Sequence, residues 1–202
     1  MDHHSSQSVI TLYEQHCAAF AARRPAALLE KAWLDSFVSA IQLGGAILDV
    51  GCGNGSPIAD YLLRRGFPVK GIDASAAMIA RCKAKFPDND WAVADMRRLD
   101  LKRRFDGILA WDSFFHLTRA DQRGMFAVFA AHAGDGARLM FNTGPANGEA
   151  IGEFQGEPLY HASLAADEYQ ALLQQSDFRV IRHVVEDPEC GGRTVWLAEK
   201  HQ

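Results

Sequence analysis

The sequence predicts a doubly wound α/β sheet, and three observations carry that expectation. An apolar run of strand length, Ala46 to Val50, stops at the alternating glycines Gly51, Gly53 and Gly55, and Ser56-Pro57 behind them reads as a helix start. Further short apolar runs then alternate with stretches of helical periodicity along the chain. Three predicted strands run into a carboxylate, at Asp49, Asp73 and Asp95. In an open α/β sheet the ligand lies at the carboxyl ends of the strands, so a site is expected there.

Residues 8–43 precede the sheet and read as helical. Val9, Leu12, Tyr13, His16 and Phe20 share one face, and after Pro25 the residues Leu29, Trp33, Phe37 and Ile41 repeat at helical spacing until Gly44-Gly45. Met1 to Gln7 reads as a loose terminus. After the glycine loop, Ile58, Tyr61 and Leu62 mark a short helix ending at Gly66, and Pro68 to Ile72 is the second strand. Asp73 at its tip lies roughly twenty residues past Gly51, the distance at which an acidic residue accepts the hydroxyls of a ribose. It is also a fit N-cap for the helix Ser75 to Phe86, whose Met78, Ile79, Cys82 and Phe86 face inward. Trp91 to Ala94 is the third strand, followed at once by Asp95-Met96.

Phe105 to Trp111 is the fourth strand and runs into Asp112-Ser113-Phe114-Phe115-His116. Thr118 and Asp121 open the next helix as a variant capping box, and Arg138 to Asn142 is the fifth strand. Thr143 to Ser163, rich in glycine and proline, reads as a long connection, a feature that in compact domains is usually functional or mobile. Its glycines at 144, 148, 152 and 156 suit a lid. A helix holding Tyr169, Leu172 and Leu173 then precedes two strands, Phe178 to Val185 and Thr194 to Ala198, joined by a turn-rich hairpin connection.

Composition narrows the function. The chain has 202 residues, 48% hydrophobic and 23% charged, which suits one globular α/β domain with a full core. A net charge of −4 leaves no electrostatic footprint for nucleic acid or an anionic membrane. Cys17, Cys52, Cys82 and Cys190 lie far apart, which fits reduced thiols in a cytoplasm. No signal-peptide pattern or apolar run of transmembrane length is present, and the histidines lack metal-ligand spacing, so no metal is expected.

A dinucleotide loop follows Gly-x-Gly-x-x-Gly, but here the third glycine comes one place early and Ser56 stands in its position. A buried carboxylate at Asp49 would also repel a pyrophosphate while suiting an aminium group. Asp49-x-Gly51-x-Gly53-x-Gly55, with Leu48 before it, resembles the signature loop of class I S-adenosylmethionine (SAM) dependent methyltransferases of the small-molecule type. The resemblance covers residues 46–96 closely and the later elements more loosely. It implies a Rossmann-like seven-stranded sheet of order 3-2-1-4-5-7-6, strand 7 antiparallel, with an N-terminal helical cap. The whole chain, 1–202, is then one methyltransferase domain, with 8–43 as cap and 44–202 as the SAM-binding core.

The resemblance also implies roles. SAM is the cofactor and S-adenosylhomocysteine the product. Tyr13, Asp49, Gly51, Cys52, Gly53, Asn54, Gly55, Asp73, Ala74, Asp95, Met96 and Trp111 are the cofactor-binding candidates, with Arg23 or Arg24 joining Tyr13 on the cap. Asp95 would accept the adenine amino group. Base methyltransferases place Asp/Asn-Pro-Pro-aromatic after the fourth strand; Asp112 and Phe115 keep the outer places, but Ser113 and Phe114 replace both prolines. That departure, with the negative charge, argues against a DNA or RNA base and for a small-molecule acceptor. Asp112, Phe115, His116, Glu149, Tyr160 and His161 are the expected acceptor-pocket residues, with the aromatics Trp111, Phe114 and Phe154 excluding water. His116 and Tyr160 are the candidate catalytic groups, His116 either as a general base or as a plain structural contact. Two other classes stay open: a non-catalytic SAM or S-adenosylhomocysteine binder, and a nicotinamide-dependent oxidoreductase, which Asp49 and Ser56 disfavour.

Overall fold

A computed structural model describes residues 3–23 and 27–201. Among the described residues nine strands follow in chain order: β1 (Ile47–Val50), β2 (Val69–Asp73), β3 (Asp90–Val93), β4 (Phe105–Ala110), β5 (Ala133–Thr143), β6 (Gly148–Phe154), β7 (Glu157–Ser163), β8 (Phe178–Asp187) and β9 (Arg193–Lys200). Seven of them form one sheet in the order β3-β2-β1-β4-β5-β9-β8, and β6 and β7 pair separately. The strands from β3 across to β5 are parallel, while β9 runs antiparallel to both of its neighbours. With the β6–β7 pair set aside, this is the expected 3-2-1-4-5-7-6 sheet with its antiparallel last strand.

Helices cover both faces, so the central strands are apolar without alternation. Leu48 and Val50 of β1 and Ile108 and Ala110 of β4 face one core with Met125, Phe126 and Phe129 of α6 (Arg119–His132) and Tyr169 of α7 (Ala166–Gln175). Ile47 and Leu109 face the other, with Trp33, Leu34 and Phe37 of α3 (Lys31–Val38), Ile58 and Leu62 of α4 (Ile58–Arg64), and Ile79 of α5 (Ala76–Lys85). Phe114, expected in an acceptor pocket, is instead fully buried against Phe126, Phe129 and Phe141. An aromatic two residues past a glycine-poor turn carries no local mark that distinguishes core from pocket.

The cap consists of α1 (His3–Gln15) and α2 (Cys17–Arg23). The helix already runs at His3, where the sequence suggests a loose end. Pro25 and Arg24 lie outside the described residues.

The stretch read as a long connection is a β-hairpin. Gln155 and Gly156 both have positive φ, 57° and 81°, the conformation that closes a two-residue hairpin with the right twist. Gly148 and Gly152 sit within paired strands, and Gly144 N–H donates to Ser163 Oγ (2.7 Å), so these glycines serve pairing and close contact rather than a mobile lid. The sequence hid the hairpin because β6 is solvent-exposed almost throughout and shows no alternation. β7 buries Leu159, Tyr160 and Ala162 against Val9 and Leu12 of α1. The Arg23 guanidinium and the Tyr13 ring both lie within 5.8 Å of the Phe154 ring, and His16 pairs with Glu157 at 2.7 Å. Cap and hairpin, distant in sequence, therefore share a small core of their own.

Candidate active site

The glycine loop is held by close packing and by β2. Gly51 has φ +77°, and a Cβ there would fall 2.4 Å from the Ser113 Cβ, so only glycine fits. Gly51 and Cys52 N–H both donate to the Ile72 carbonyl (2.8 and 2.9 Å), and Ser113 O–H donates to the Val50 carbonyl (2.8 Å). Asp73 bridges two elements: Oδ2 accepts from Gly53 N–H (2.9 Å) and Oδ1 from Ser75 N–H (2.8 Å). Ser75 is the N-cap of α5 and accepts from Met78 N–H. The cap role that the sequence allowed Asp73 is thus filled by Ser75, with Asp73 bracing it. Burial pushes the Asp73 carboxyl above its usual range, opposed by those two N–H donors.

A cavity of about 420 Å³ opens at these strand ends and is lined by Tyr13, Gly51, Gly53, Asp73, Ala74, Asp95, Met96, Asp112 and His116, among others. A smaller space of about 40 Å³ shares Phe20, Gly51, Gly53 and Asp112 with it and adds Asp49, Cys52, Asn54, Gly55 and Trp111. Tyr13 and the expected cofactor-binding residues of the loop and strand ends border one or both of these spaces, whereas Arg23 lies over the Phe154 ring and borders neither. Phe115, Glu149 and His161 do not; they line a separate groove of about 540 Å³ with Thr143 to Ala146. Tyr160 borders none of the three, and its side chain is buried against α1.

His116 is buried in the cavity wall and its two ring nitrogens are both engaged. Nδ1–H donates to the Tyr160 carbonyl (2.9 Å), because a carbonyl can only accept, and Nε2 then accepts from the Tyr13 hydroxyl (2.9 Å). Burial pushes its pKa down to about 4, so the ring is neutral near pH 7. Forming imidazolium there at pH 7 would cost about 4 kcal/mol. That weakens the general-base reading and favours a residue that orients Tyr13. The expected contribution of Tyr160 comes from its backbone carbonyl, while its hydroxyl interacts with Glu149.

Two other expected side chains are already paired. Asp112, in a strained left-handed conformation with φ +48°, receives a two-pronged bond from Arg193 (Nε to Oδ1 and Nη2 to Oδ2, both 2.9 Å) and another from Asn142 Nδ2 (2.7 Å). Asp95 is gripped by Arg97, whose side chain, before burial or other charges, holds the carboxyl below its usual range. Its oxygens keep further lone pairs for a ligand.

Glu14, Phe20, Arg97 and Arg193 also belong to this region, and no sequence signal marks them. Glu14 Oε2 accepts from the Ser75 hydroxyl (2.6 Å) and Ala77 N–H (3.0 Å), fastening α1 to the start of α5. Its partners lie some sixty residues away, beyond the reach of any local pattern. The cap is therefore latched at two points, Tyr13 to His116 and Glu14 to Ser75. Tyr13→Phe leaves the His116 Nε2 acceptor buried and unpaired, which should cost about 1–3 kcal/mol. Amide hydrogen exchange through α1 should speed up in this variant; exchange as slow as in the wild type would show that Tyr13 is no latch.

The residues fit a cationic ligand better than a phosphate. Asp49, Asp73, Asp95 and Asp112 border the two adjoining cavities, and the Gly53 N–H that could cradle an anion is taken by Asp73. Among the described residues no group of three or more His, Cys, Asp or Glu is placed to hold a metal, and no helix is long and apolar enough to cross a membrane.

The strand order and the glycine loop are those that the resemblance to class I SAM-dependent methyltransferases implies. Residues 47–136, a little under half of the chain, match the family described as a methyltransferase domain. Over 67 residues the chain is 39% identical to trans-aconitate 2-methyltransferase of Escherichia coli O1:K1, covering 32% of this chain and 26% of that protein. Over 86 residues it is 31% identical to the putative methyltransferase 235L of invertebrate iridescent virus 6, covering 41% of this chain and 31% of that one. These matches span a third or less of the curated relatives' length. Among solved structures, a SAM-bound amino pentose methyltransferase from Micromonospora echinaspora superposes with a TM-score of 0.72 at 19% identity, over 92% of this chain and 96% of that one.

Proposed function

We propose that the protein transfers the methyl group of SAM to a small-molecule acceptor. The observation that carries this reading is the set of strand-end carboxylates around the tight Gly51 turn, which suits a sulfonium amino acid and an adenosine rather than a dinucleotide. Asp73 is placed for the ribose diol, Asp95 and Met96 for the adenine, and Asp49 for the α-ammonium group. Bound SAM would supply a methyl group on a good leaving group, S-adenosylhomocysteine, for displacement by the acceptor.

The chain's own part is alignment and exclusion of water. Of residues 8–43, α1 and α2 act as the cap, with Tyr13 and Phe20 bordering the cavity, whereas α3 packs on the sheet as part of the core. His116 holds the Tyr13 hydroxyl beside the site and, being neutral, adds no positive charge next to the sulfonium. The acceptor is read by the apolar groove of Phe115, His161 and Thr143 to Ala146, beside the end of β4. Calorimetry should show SAM and S-adenosylhomocysteine binding far more tightly than NAD, and a panel of small metabolites should yield an acceptor that releases S-adenosylhomocysteine. Binding of NAD in preference to SAM would end this reading.

A further inference from the structure

We infer that the indole N–H of Trp111 is the donor that recognises the carboxylate of the methionine moiety of SAM. The inference rests on the reading that the chain binds SAM, and it assigns to Trp111, a cofactor-binding candidate by resemblance, a particular atom and a particular ligand group. The chain has four tryptophans, and three have conventional partners. Trp33 Nε1–H donates to Asp187 (2.8 Å), Trp91 to the Phe86 carbonyl (2.9 Å) and Trp196 to the Thr143 hydroxyl (3.3 Å). Trp111 is the exception. It is only 4% exposed, yet among the described residues its Nε1–H meets no acceptor. Buried indole N–H groups usually find a partner, so an orphan beside a cavity points to a ligand atom as the missing one.

Its place in the sheet says which atom. Trp111 follows β4 directly and packs in the same core as Ile47 and Leu109; Asp49 stands opposite Leu109 in the register. Strand alternation therefore puts the Asp49 and Trp111 side chains on one face of adjacent strands, and both border the space of about 40 Å³ under the glycine loop. That volume is a few times the ~10–15 Å³ one water needs, room for a carboxylate but not for a ring. The space adjoins the larger cavity, with Gly51, Gly53, Phe20 and Asp112 lining both, so it lies on the side to which the other end of a ligand with its ribose at Asp73 would point. An indole only donates and an ionised carboxylate only accepts. Trp111 beside Asp49 therefore presents one donor and one acceptor, the complement of an α-amino acid zwitterion: ammonium to Asp49, carboxylate to Trp111.

Trp111→Phe removes the donor and keeps the ring. Calorimetry should show S-adenosylhomocysteine binding about tenfold more weakly to the variant, while 5′-methylthioadenosine, which has the adenosine and thioether but no amino acid, binds as to the wild type. In the wild type, the ¹⁵N–¹H indole resonance of Trp111 should move downfield with S-adenosylhomocysteine and stay in place with 5′-methylthioadenosine; this measurement needs no variant to fold. Equal loss for both ligands, S-adenosylhomocysteine affinity within twofold of the wild type, or an unmoved indole resonance would overturn the inference and leave SAM binding standing. A wild-type protein that binds neither ligand would overturn the methyltransferase reading itself.

Discussion

Asp73→Ala should weaken SAM binding by about 10- to 150-fold, the equivalent of about 1.5–3 kcal/mol for hydrogen bonds to a charged group. On the proposed reading the carboxylate accepts the ribose hydroxyls, and it also holds Gly53 N–H and Ser75 N–H. Its removal therefore loosens the glycine loop and the start of α5 together. Asp73→Asn keeps an acceptor oxygen for one of those N–H groups but cannot serve the loop, the cap and a diol at once, so an intermediate loss is expected. Calorimetry with S-adenosylhomocysteine, alongside thermal unfolding to confirm that both variants are folded, reads the two effects separately. A folded alanine variant with wild-type affinity would remove Asp73 from the cofactor site.

The second large effect is on stability against pH and comes from His116. Burial holds its pKa at about 4 in the folded protein, below the 6.5 of an unfolded histidine. As pH falls below 6.5 the unfolded chain takes up the proton first, so the folded state loses ground. The contribution of the neutral ring is complete above about pH 6.5 and is lost progressively as pH falls towards 4. Its size is about 3 kcal/mol. Burial lowers the His161 pKa as well, and that ring contributes a slope of the same sign. The measurement is thus the difference between wild type and His116→Gln: denaturant midpoints from pH 7 to 4 should fall less steeply in the variant. Parallel curves would mean that His116 is not held neutral by the fold. In the same variant turnover should fall more than SAM affinity, because His116 borders the cavity and holds the Tyr13 hydroxyl in place.

Much of the cofactor side was legible because it is written locally. A strand that stops at Gly51 and a carboxylate at the tip of the next strand are features of neighbouring residues, and Gly51 must be glycine because Ser113 lies against it. The acceptor side was less so. Phe114 and Phe115 are adjacent and alike in chemistry, yet one fills the core and the other lines a groove, since a single turn of 3-10 helix sends them in different directions. Tyr160 was singled out for its hydroxyl, whereas the structure uses its carbonyl.

The sequence by itself determined the order of strands and helices, the place of the glycine loop, and the carboxylates at the strand ends. Periodicity, turn chemistry and spacing are short-range properties, and each of these follows from them. Only the tertiary structure decided what those groups meet: Glu14 on Ser75, Tyr13 on His116, Arg193 on Asp112, and nothing among the described residues on the Trp111 indole. Such pairings join residues separated by sixty to a hundred positions, and burial turns each into a free-energy term that spacing cannot encode. The β6–β7 hairpin belongs with them. Its outer strand is too exposed to carry a pattern, and it is held in place by what β7 buries against the cap.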